Sequence, residues 1–319
     1  MDIAKIKAYT SDAMERVCHL MEEALSSDID LLNRTNRSIL EGGGKRLRPL
    51  LCLLVADACG GITDDTVSYA AAAELLHNAT LLHDDVVDGA ETRRGKPTVM
   101  SVLNMPASVL IGDFWLTKAM EIILSAGRSH EIIRIFAKTL SDLSQGEMLQ
   151  LEKSLACDTT FEDYIRIVYC KTASLFEAGA ISAALSAEAP ESWREAVRSY
   201  AVNLGIAFQI RDDILDYEGG DIGKPAGQDL TEKKVTMPLL GALEEVDSAQ
   251  AAEIRRRLSG DGNEAEIAAF VRRQGGIPRA QAVLETYIDK ACAALDVLPE
   301  TPARAYLACL ARFNSMRGR

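Results

Sequence analysis

Aromatic side chains are scarce in this 319-residue sequence, at 5% of the residues. Hydrophobic residues nevertheless make up 48%, and Ala and Leu dominate among them. Small and unbranched side chains of this kind favour helix over sheet. The composition therefore indicates a helical chain with enough apolar material to bury a large core.

Acidic residues outnumber basic ones, with 47 Asp and Glu against 35 Lys and Arg, and the formal net charge is −12. A nucleic-acid-binding protein generally needs a surplus of basic residues to displace counterions from phosphates, so we expect no nucleic-acid partner. An acidic protein can still hold a phosphorylated ligand if metal ions neutralise part of the charge.

The seven Cys contain no CxxC pair, and their number is odd. Scattered cysteines of this kind argue against a disulfide framework or a zinc site and indicate reduced thiols. The first residues lack the apolar stretch of a signal peptide, and no uninterrupted apolar run is long enough to span a bilayer. We therefore expect a cytoplasmic protein.

Apolar residues recur at three- and four-residue steps along most of the chain, most clearly over residues 68–82, 132–151 and 196–215. The sequence has no run of alternating β-branched residues and no Asn-Gly turn, so nothing in it indicates a sheet. The breaks between helical segments are short, and none is a domain linker. This pattern predicts an all-α fold with one domain over residues 1–319.

Two clusters with the pattern DDxxD follow apolar helical segments, at residues 84–88 and 212–216. Positions i and i+4 share one face of a helix, so the first and last aspartate of each cluster project together. Like charges repel at that separation, which makes sense if a cation lies between them. An exposed acidic patch is the better explanation for a single cluster, but two matching clusters favour a site.

Carboxylate oxygens without His or Cys favour magnesium, which binds one or two carboxylates and takes its other ligands from water and substrate phosphates. Two such clusters facing each other would hold a diphosphate through two or three bridging magnesium ions. Basic side chains that suit diphosphate oxygens lie near the clusters or in the segment EGGGKRLRP, although a single one, or an isolated pair, is better explained as ordinary solvated charge. They are Lys45, Arg46, Arg48, Arg93, Arg94, Lys224, Lys233 and Lys234.

Seven segments together resemble the trans-polyprenyl diphosphate synthases, the family of farnesyl, geranylgeranyl and octaprenyl diphosphate synthases. They are GGGKRLRP (42–49), ELLHNATLLHDDVVD (74–88), TRRGKPTV (92–99), GEMLQLE (146–152), KTASLFEAG (171–179), FQIRDDILDYEG (208–219) and GKPAGQDLTEKKVTMPLL (223–240). The resemblance implies a single-domain helical bundle of the isoprenoid synthase type with a deep central cavity. It also implies condensation of isopentenyl diphosphate with an allylic diphosphate.

The resemblance assigns roles by position. The implied magnesium ligands are Asp84, Asp88 and Asp212, supported by Asp85, Asp213 and Asp216. The implied allylic diphosphate contacts are Arg93, Lys171, Lys224 and Lys234, and the implied isopentenyl diphosphate contacts are Lys45, Arg48, His77 and Arg94. Thr172 and Gln209 match the polar groups beside the reacting carbons. Gly is common in the family at position 233, and alignment to Thr236 and Pro238 favours Lys234 over Lys233.

In the family, bulky residues four or five positions before the first DDxxD shorten the product. Ala79 and Thr80 occupy those positions here and are small, which predicts a product longer than geranylgeranyl. Phe136 is a candidate floor of the product tunnel. The alternatives are that Ala79 is a helix former and that Phe136 packs in an ordinary core.

The implied reaction is ionisation of the allylic diphosphate, attack by the isopentenyl double bond, and loss of a proton to the released diphosphate. Family members usually form homodimers, which we expect here as well. The product is poorly soluble, so we anticipate transient membrane contact at its release, although no basic amphipathic helix indicates one.

Four alternatives stay open. One is a short-chain farnesyl or geranylgeranyl diphosphate synthase, and another is a class I terpene cyclase, which usually lacks paired DDxxD clusters. A third is a non-catalytic subunit of a heteromeric synthase, although such subunits typically lose aspartates that are intact here. The fourth, a di-iron bundle, needs Glu-x-x-His pairs on facing helices, and Glu74–His77 is the only one.

Overall fold

The computed structural model describes residues 3–42, 44–93, 95–218, 227–260 and 262–315. Over these ranges the regular structure is helical, apart from one short antiparallel hairpin that pairs Thr92–Arg93 with Lys96–Pro97. The all-α class predicted from composition and periodicity is confirmed. In the same ranges, no helix has both the length and the apolar character needed to cross a membrane.

The helices are named in chain order. They are α1 (Ile3–Tyr9), α2 (Ser11–Ala24), α3 (Asp30–Glu41), α4 (Leu47–Ala58), α5 (Asp64–Val87), α6 (Val99–Val102), α7 (Met105–Ser125), α8 (Ser129–Ala156), α9 (Phe161–Val168), α10 (Ser174–Ser186), α11 (Glu191–Glu218), α12 (Gln228–Thr231), α13 (Met237–Leu243), α14 (Ser248–Ser259), α15 (Glu264–Arg273), α16 (Gly276–Ala294) and α17 (Pro302–Ser315). A π-helix (Tyr169–Ala173) joins α9 to α10, and a 3₁₀ turn (Leu295–Val297) follows α16.

The chain folds into two compact units, each built from three segments. Unit 1 comprises Met1–Lys138, Leu175–Arg198 and Leu295–Cys309, and unit 2 comprises Thr139–Ser174, Ser199–Ala294 and Leu310–Arg319. The first aspartate cluster belongs to unit 1 and the second to unit 2. The single domain and the central cavity expected from the sequence stay predictions.

In unit 1, α5 is buried on most sides and packs against α2, α4 and α7. A reciprocal capping box between Thr63 and Thr66 fixes its start. The four alanines of residues 70–73 are completely buried and let neighbouring helices approach closely. A Cβ at Gly112 of α7 would lie 2.4 Å from Nε2 of His83, so the His83 ring packs directly on the glycine.

In unit 2, two glycines allow helices to pack directly on the π-helix. A Cβ at Gly146 of α8 would lie 2.6 Å from Cβ of Cys170, and one at Gly205 of α11 would lie 2.5 Å from Cα of Ala173. The π-turn itself is closed by the amide of Ser174, which donates to the carbonyl of Tyr169 five residues earlier. Such π-turns are rare in proteins, and those that occur often lie at functional sites.

Candidate functional site

The first aspartate cluster forms the C-terminal end of α5. Asp85 is buried, Asp84 is half-buried, and Asp88 is exposed. Asp88 caps the helix, and its amide donates to the carbonyl of Asp84 at 2.8 Å. The two predicted ligands, Asp84 and Asp88, are therefore more exposed than Asp85, the predicted supporting residue.

Arg93 lies in the hairpin that follows this cluster and turns back onto it. Its Nε donates to Oδ1 of Asp85 at 2.6 Å, and both side chains are largely shielded from solvent. The loop between them is closed by the amide of Ala90, which donates to the carbonyl of Asp85 at 2.9 Å. Arg94, predicted to contact isopentenyl diphosphate, lies outside the described residues.

The predicted isopentenyl diphosphate contacts lie at the start of α4 and on α5. Lys45 is exposed, and the guanidinium of half-buried Arg48 lies 4.8 Å from the centre of the Phe176 ring. Arg46 adopts a left-handed conformation (φ 48°) directly before α4. His77 is half-buried on α5.

Buried groups on α4 and α5 interact electrostatically with one another. Burial and the carboxyl of Glu74 together raise the pKa of the Cys52 thiol to about 12, and Arg48 opposes the increase. Glu74 and Arg48 therefore both act on this buried thiol.

The three predicted chain-length residues belong to unit 1. Ala79 is 1% exposed and Phe136 is fully buried. Thr80 is half-buried, and its hydroxyl donates to the carbonyl of His77 at 2.8 Å. Ala79 and Phe136 are thus parts of a packed interior, and their role in product length stays a prediction.

The second cluster lies near the end of α11, and it too divides by accessibility. Asp212 is half-buried, whereas Asp213 and Asp216 are buried. The hydroxyl of Tyr164 donates to Oδ2 of Asp213 at 2.6 Å, and Nε2 of Gln209 donates to Oδ1 at 2.9 Å. Burial raises the pKa of Asp213 to about 6, and these two hydrogen bonds oppose the rise.

Asp216 is held by two backbone amides at the start of α12. Its carboxylate accepts from the amides of Gln228 at 3.2 Å and Asp229 at 3.3 Å. Burial raises the pKa of Asp229 well above its ordinary value, and the carboxylates of Asp213 and Asp216 raise it further. The structure thus adds Asp229 to the second acidic cluster.

Lys171 and Thr172 project from the π-helix towards different partners. Nζ of Lys171 lies 2.5 Å from Oε1 of Glu147 and donates to Oε1 of Gln150 at 3.0 Å. The hydroxyl of Thr172 donates to Oε1 of Gln209 at 3.0 Å. Thr172, Gln209 and Asp213 therefore form one hydrogen-bonded chain, which joins three of the predicted site residues.

The two adjacent lysines of unit 2 point to different places. Nζ of Lys233 donates to the carbonyl of Ser259, at the end of α14, from a left-handed backbone (φ 56°). Nζ of Lys234 pairs with Glu232 and lowers the pKa of Asp229, so Lys234 faces the acidic cluster. Lys224 lies outside the described residues.

The accessible aspartates suit magnesium better than other metals. Within the described ranges, no group of three or more His, Cys, Asp and Glu side chains is arranged to hold a metal ion. Magnesium needs only one or two carboxylates, because it keeps water ligands and binds substrate phosphates. The hard oxygen donors of Asp84, Asp88 and Asp212 therefore fit this ion.

Sequence reasoning missed several residues that hold the site. Glu147 and Gln150 lie within the matched segment GEMLQLE, and Asp229 lies within GKPAGQDLTEKKVTMPLL, so the motifs offered a signal for these three. Tyr164 lies in an ordinary amphipathic helix outside every matched segment, and nothing local distinguishes it.

Comparison with known proteins gives consistent results. The family model described as Polyprenyl synthetase matches residues 29–273. The chain is 39% identical over 324 residues to octaprenyl diphosphate synthase of Escherichia coli (strain K12), with 100% of each chain covered. It is 37% identical over 297 residues to the geranyl-diphosphate-specific all-trans-nonaprenyl-diphosphate synthase of Rhodobacter capsulatus, which covers 92% of this chain and 91% of that one.

Solved structures agree with these relatives. The crystal structure of a decaprenyl diphosphate synthase from Rhodobacter capsulatus superposes with a TM-score of 0.93 at 34% identity, covering 100% of both chains. The geranylgeranyl pyrophosphate synthetase of Pyrococcus horikoshii Ot3 gives 0.89 at 30% identity, covering 99% of this chain and 100% of that one.

Proposed function

This chain belongs to the polyprenyl synthetase family, and from that premise we propose that it condenses isopentenyl diphosphate with an allylic diphosphate in a magnesium-dependent reaction. The product is a linear all-trans polyprenyl diphosphate longer than geranylgeranyl diphosphate. Full-length relatives named as octaprenyl and nonaprenyl diphosphate synthases support this length.

The observation that carries the proposal is the division of each DDxxD cluster into accessible and buried carboxylates. Asp88 is exposed and Asp84 and Asp212 are half-buried, whereas Asp85 and Asp213 are buried and hydrogen-bonded. Bound magnesium supplies Lewis-acid assistance to a departing diphosphate. The buried carboxylates fix the segments that carry the accessible ones.

The basic residues bind and orient diphosphate groups in this proposal. Arg93, Lys171 and Lys234 hold the allylic diphosphate, and each already neighbours a carboxylate that a bound anion would compete with. Lys45, Arg48 and His77 hold the isopentenyl diphosphate. Arg suits a diphosphate through its planar fork, and Lys acts as a point charge.

Thr172 and Gln209 lie beside the reacting carbons in this proposal. Their fixed dipoles stabilise positive charge on the allylic carbon as its bond to the diphosphate breaks, as expected of a preorganised electrostatic site. The isopentenyl double bond attacks this carbon, and the released diphosphate accepts the proton that the resulting condensed carbocation loses.

A magnesium-dependent assay with labelled isopentenyl diphosphate and geranyl or farnesyl diphosphate tests the proposal. We expect long linear products, abolition by a chelator, and severe loss of turnover in Asp212→Asn. Asp289→Asn, which changes an exposed aspartate of α16, is the matched control and should leave turnover unchanged.

Each alternative predicts a different outcome of this assay. Products no longer than geranylgeranyl would support a short-chain synthase, and cyclic hydrocarbon would support a terpene cyclase. Absence of turnover by the purified chain alone would support a partner subunit. Turnover that persists without divalent metal would refute the magnesium proposal.

We also propose a homodimer. Met148, Leu151 and Leu155 lie on one face of α8 and are 66%, 54% and 78% exposed. Exposed apolar groups at helical spacing indicate a surface that packs against protein. Light scattering should give twice the mass of one chain, and Leu155→Glu should shift the equilibrium towards monomer.

Two further proposals concern location. None of the seven cysteines, all within the described residues, forms a disulfide bond, and this supports a reducing, cytoplasmic compartment. The poor solubility of a long prenyl chain supports transient membrane contact at release, and vesicle flotation with and without bound product would measure it.

A further inference from the structure

Tyr164 connects α9 to the second aspartate cluster within unit 2. It is 4% exposed, and its hydroxyl donates to Oδ2 of Asp213 at 2.6 Å. A buried carboxylate that lacks such a donor has lost its hydration without a compensating hydrogen bond. None of the sequence motifs includes Tyr164.

The helix that carries Tyr164 is firmly anchored. A capping box between Thr160 and Asp163 begins α9, and Lys153 of α8 pairs with Asp163 at 3.1 Å. From α14, the guanidinium of Arg255 donates to the carbonyls of Cys157 and Thr159 at 2.8 and 2.9 Å. The tyrosine hydroxyl is therefore presented from a fixed element.

Asp213 receives a side-chain donor on each of its two carboxylate oxygens, and the backbone amide of Met237 also hydrogen-bonds to this carboxylate. Tyr164 binds Oδ2, while the amide of Gln209 binds Oδ1 and uses its own oxygen to accept from Thr172. Rotation of the Asp213 carboxylate would break its bond to Gln209 and release the amide that orients Thr172. The hydroxyl on α9 is thus the side-chain donor that holds Oδ2 of Asp213, at one end of a chain of groups reaching the π-helix.

We propose that Tyr164 is a positioning residue for prenyl transfer, which fixes the Asp213 carboxylate and through it the orientation of Gln209 and Thr172. It contacts neither substrate nor metal and acts only through Asp213. The inference rests on the proposed function, because Gln209 and Thr172 matter only if they face a reacting carbon there.

The test compares Tyr164→Phe with Tyr69→Phe. Tyr69 is a fully buried tyrosine of α5 whose hydroxyl donates to the carbonyl of Gly127, so both variants lose one buried hydroxyl bond. We expect similar losses of thermal stability. Only Tyr164→Phe should lower kcat, by about 10–100-fold, with a smaller change in the KM for isopentenyl diphosphate.

A binding measurement gives a readout that does not depend on turnover. Magnesium with inorganic pyrophosphate should raise the Tm of the wild type and of Tyr69→Phe by the same amount, and that of Tyr164→Phe by less. In an Asp213→Asn background, the further change Tyr164→Phe should have little effect on kcat, because its partner is already altered.

Equal kinetics for the two Phe variants, or an undiminished effect of Tyr164→Phe in the Asp213→Asn background, would overturn the inference. An inactive wild type would instead refute the proposed function. Even then, a smaller pyrophosphate-induced Tm shift in Tyr164→Phe than in Tyr69→Phe would show that Tyr164 orders the acidic cluster.

Discussion

Nε of Arg93 donates to Oδ1 of Asp85 at 2.6 Å, across the loop that follows the first aspartate cluster. The predicted diphosphate-binding residue is therefore held by the buried aspartate of the metal motif. A bound diphosphate would meet a guanidinium that is already positioned, with donors besides Nε available to it.

Breaking this pair should cost both stability and activity. Arg93→Gln leaves the Asp85 carboxylate without its guanidinium partner, so we expect a loss of about 1–3 kcal/mol in the free energy of unfolding. Urea unfolding and steady-state kinetics measure the two effects. If Arg93 also binds diphosphate, the double variant Arg93→Gln, Asp85→Asn should regain stability without regaining activity.

Enlarging the side chain at position 79 should shorten the product. Ala79→Tyr places a phenol ring one helical turn before Asp84, and because Ala79 is buried we expect overpacking to cost about 1–3 kcal/mol. Thr80→Phe, at a half-buried position, changes the same turn with less strain. Chromatography of products from folded variants measures chain length, and unchanged length in both would contradict the tunnel hypothesis.

Replacement of the two adjacent lysines should give opposite results. Lys234→Ala removes the cation beside the acidic cluster, and we expect a large fall in kcat/KM with little change in stability. Lys233→Ala removes a hydrogen bond to the end of α14 and should cost about 1 kcal/mol in stability while leaving kcat/KM close to wild type. The reverse pattern would assign the substrate contact to Lys233.

Two buried thiols should resist labelling at alkaline pH. Burial raises the pKa of Cys52 to about 12 and that of Cys59 to about 11, from an ordinary value of 9.0. Because the folded state disfavours these thiolates, their contribution to stability is complete below pH 9 and is lost as the pH rises through 11 to 12.

A chromogenic thiol reagent at pH 8 measures this protection. Cys52 and Cys59 should react only after denaturant unfolds the chain, whereas the less buried Cys292 and Cys309 should react in the native state. Rapid modification of Cys52 in the native protein would show that the core of unit 1 opens more readily than its packing indicates.

The sequence specifies the local features of this protein well. The Ala- and Leu-rich stretch over residues 68–82 predicted a helix buried on most sides. The observed helix α5 contains this stretch and is longer at both ends. The DDxxD spacing predicted that the first and last aspartates share a face, because that geometry depends only on the helical period. The family resemblance predicted Thr172 and Gln209 side by side, and their side chains are hydrogen-bonded to each other. The roles of these two residues and of Lys171 stay predictions.

The missing parts depend on contacts between distant segments. Tyr164 meets Asp213 only because α9 and α11 pack together, 49 residues apart in the chain. The amide of Asp229 donates to Asp216, 13 residues earlier in the chain. Gly146 and Gly205 are visible in the sequence, but the residues of the π-helix on which they pack lie far from them in the chain. The sequence alone therefore does not show why glycine is needed there.

The π-helix at Tyr169–Ala173 also changes the direction in which the side chains of α10 point relative to those of α9. One additional residue in a turn rotates everything after it by about 100° relative to a continuous α-helix. Side chains three or four positions apart across this point no longer form one stripe. Deleting a single residue here would therefore realign the two helices while turning the Lys171 ammonium and the Thr172 hydroxyl away from their partners.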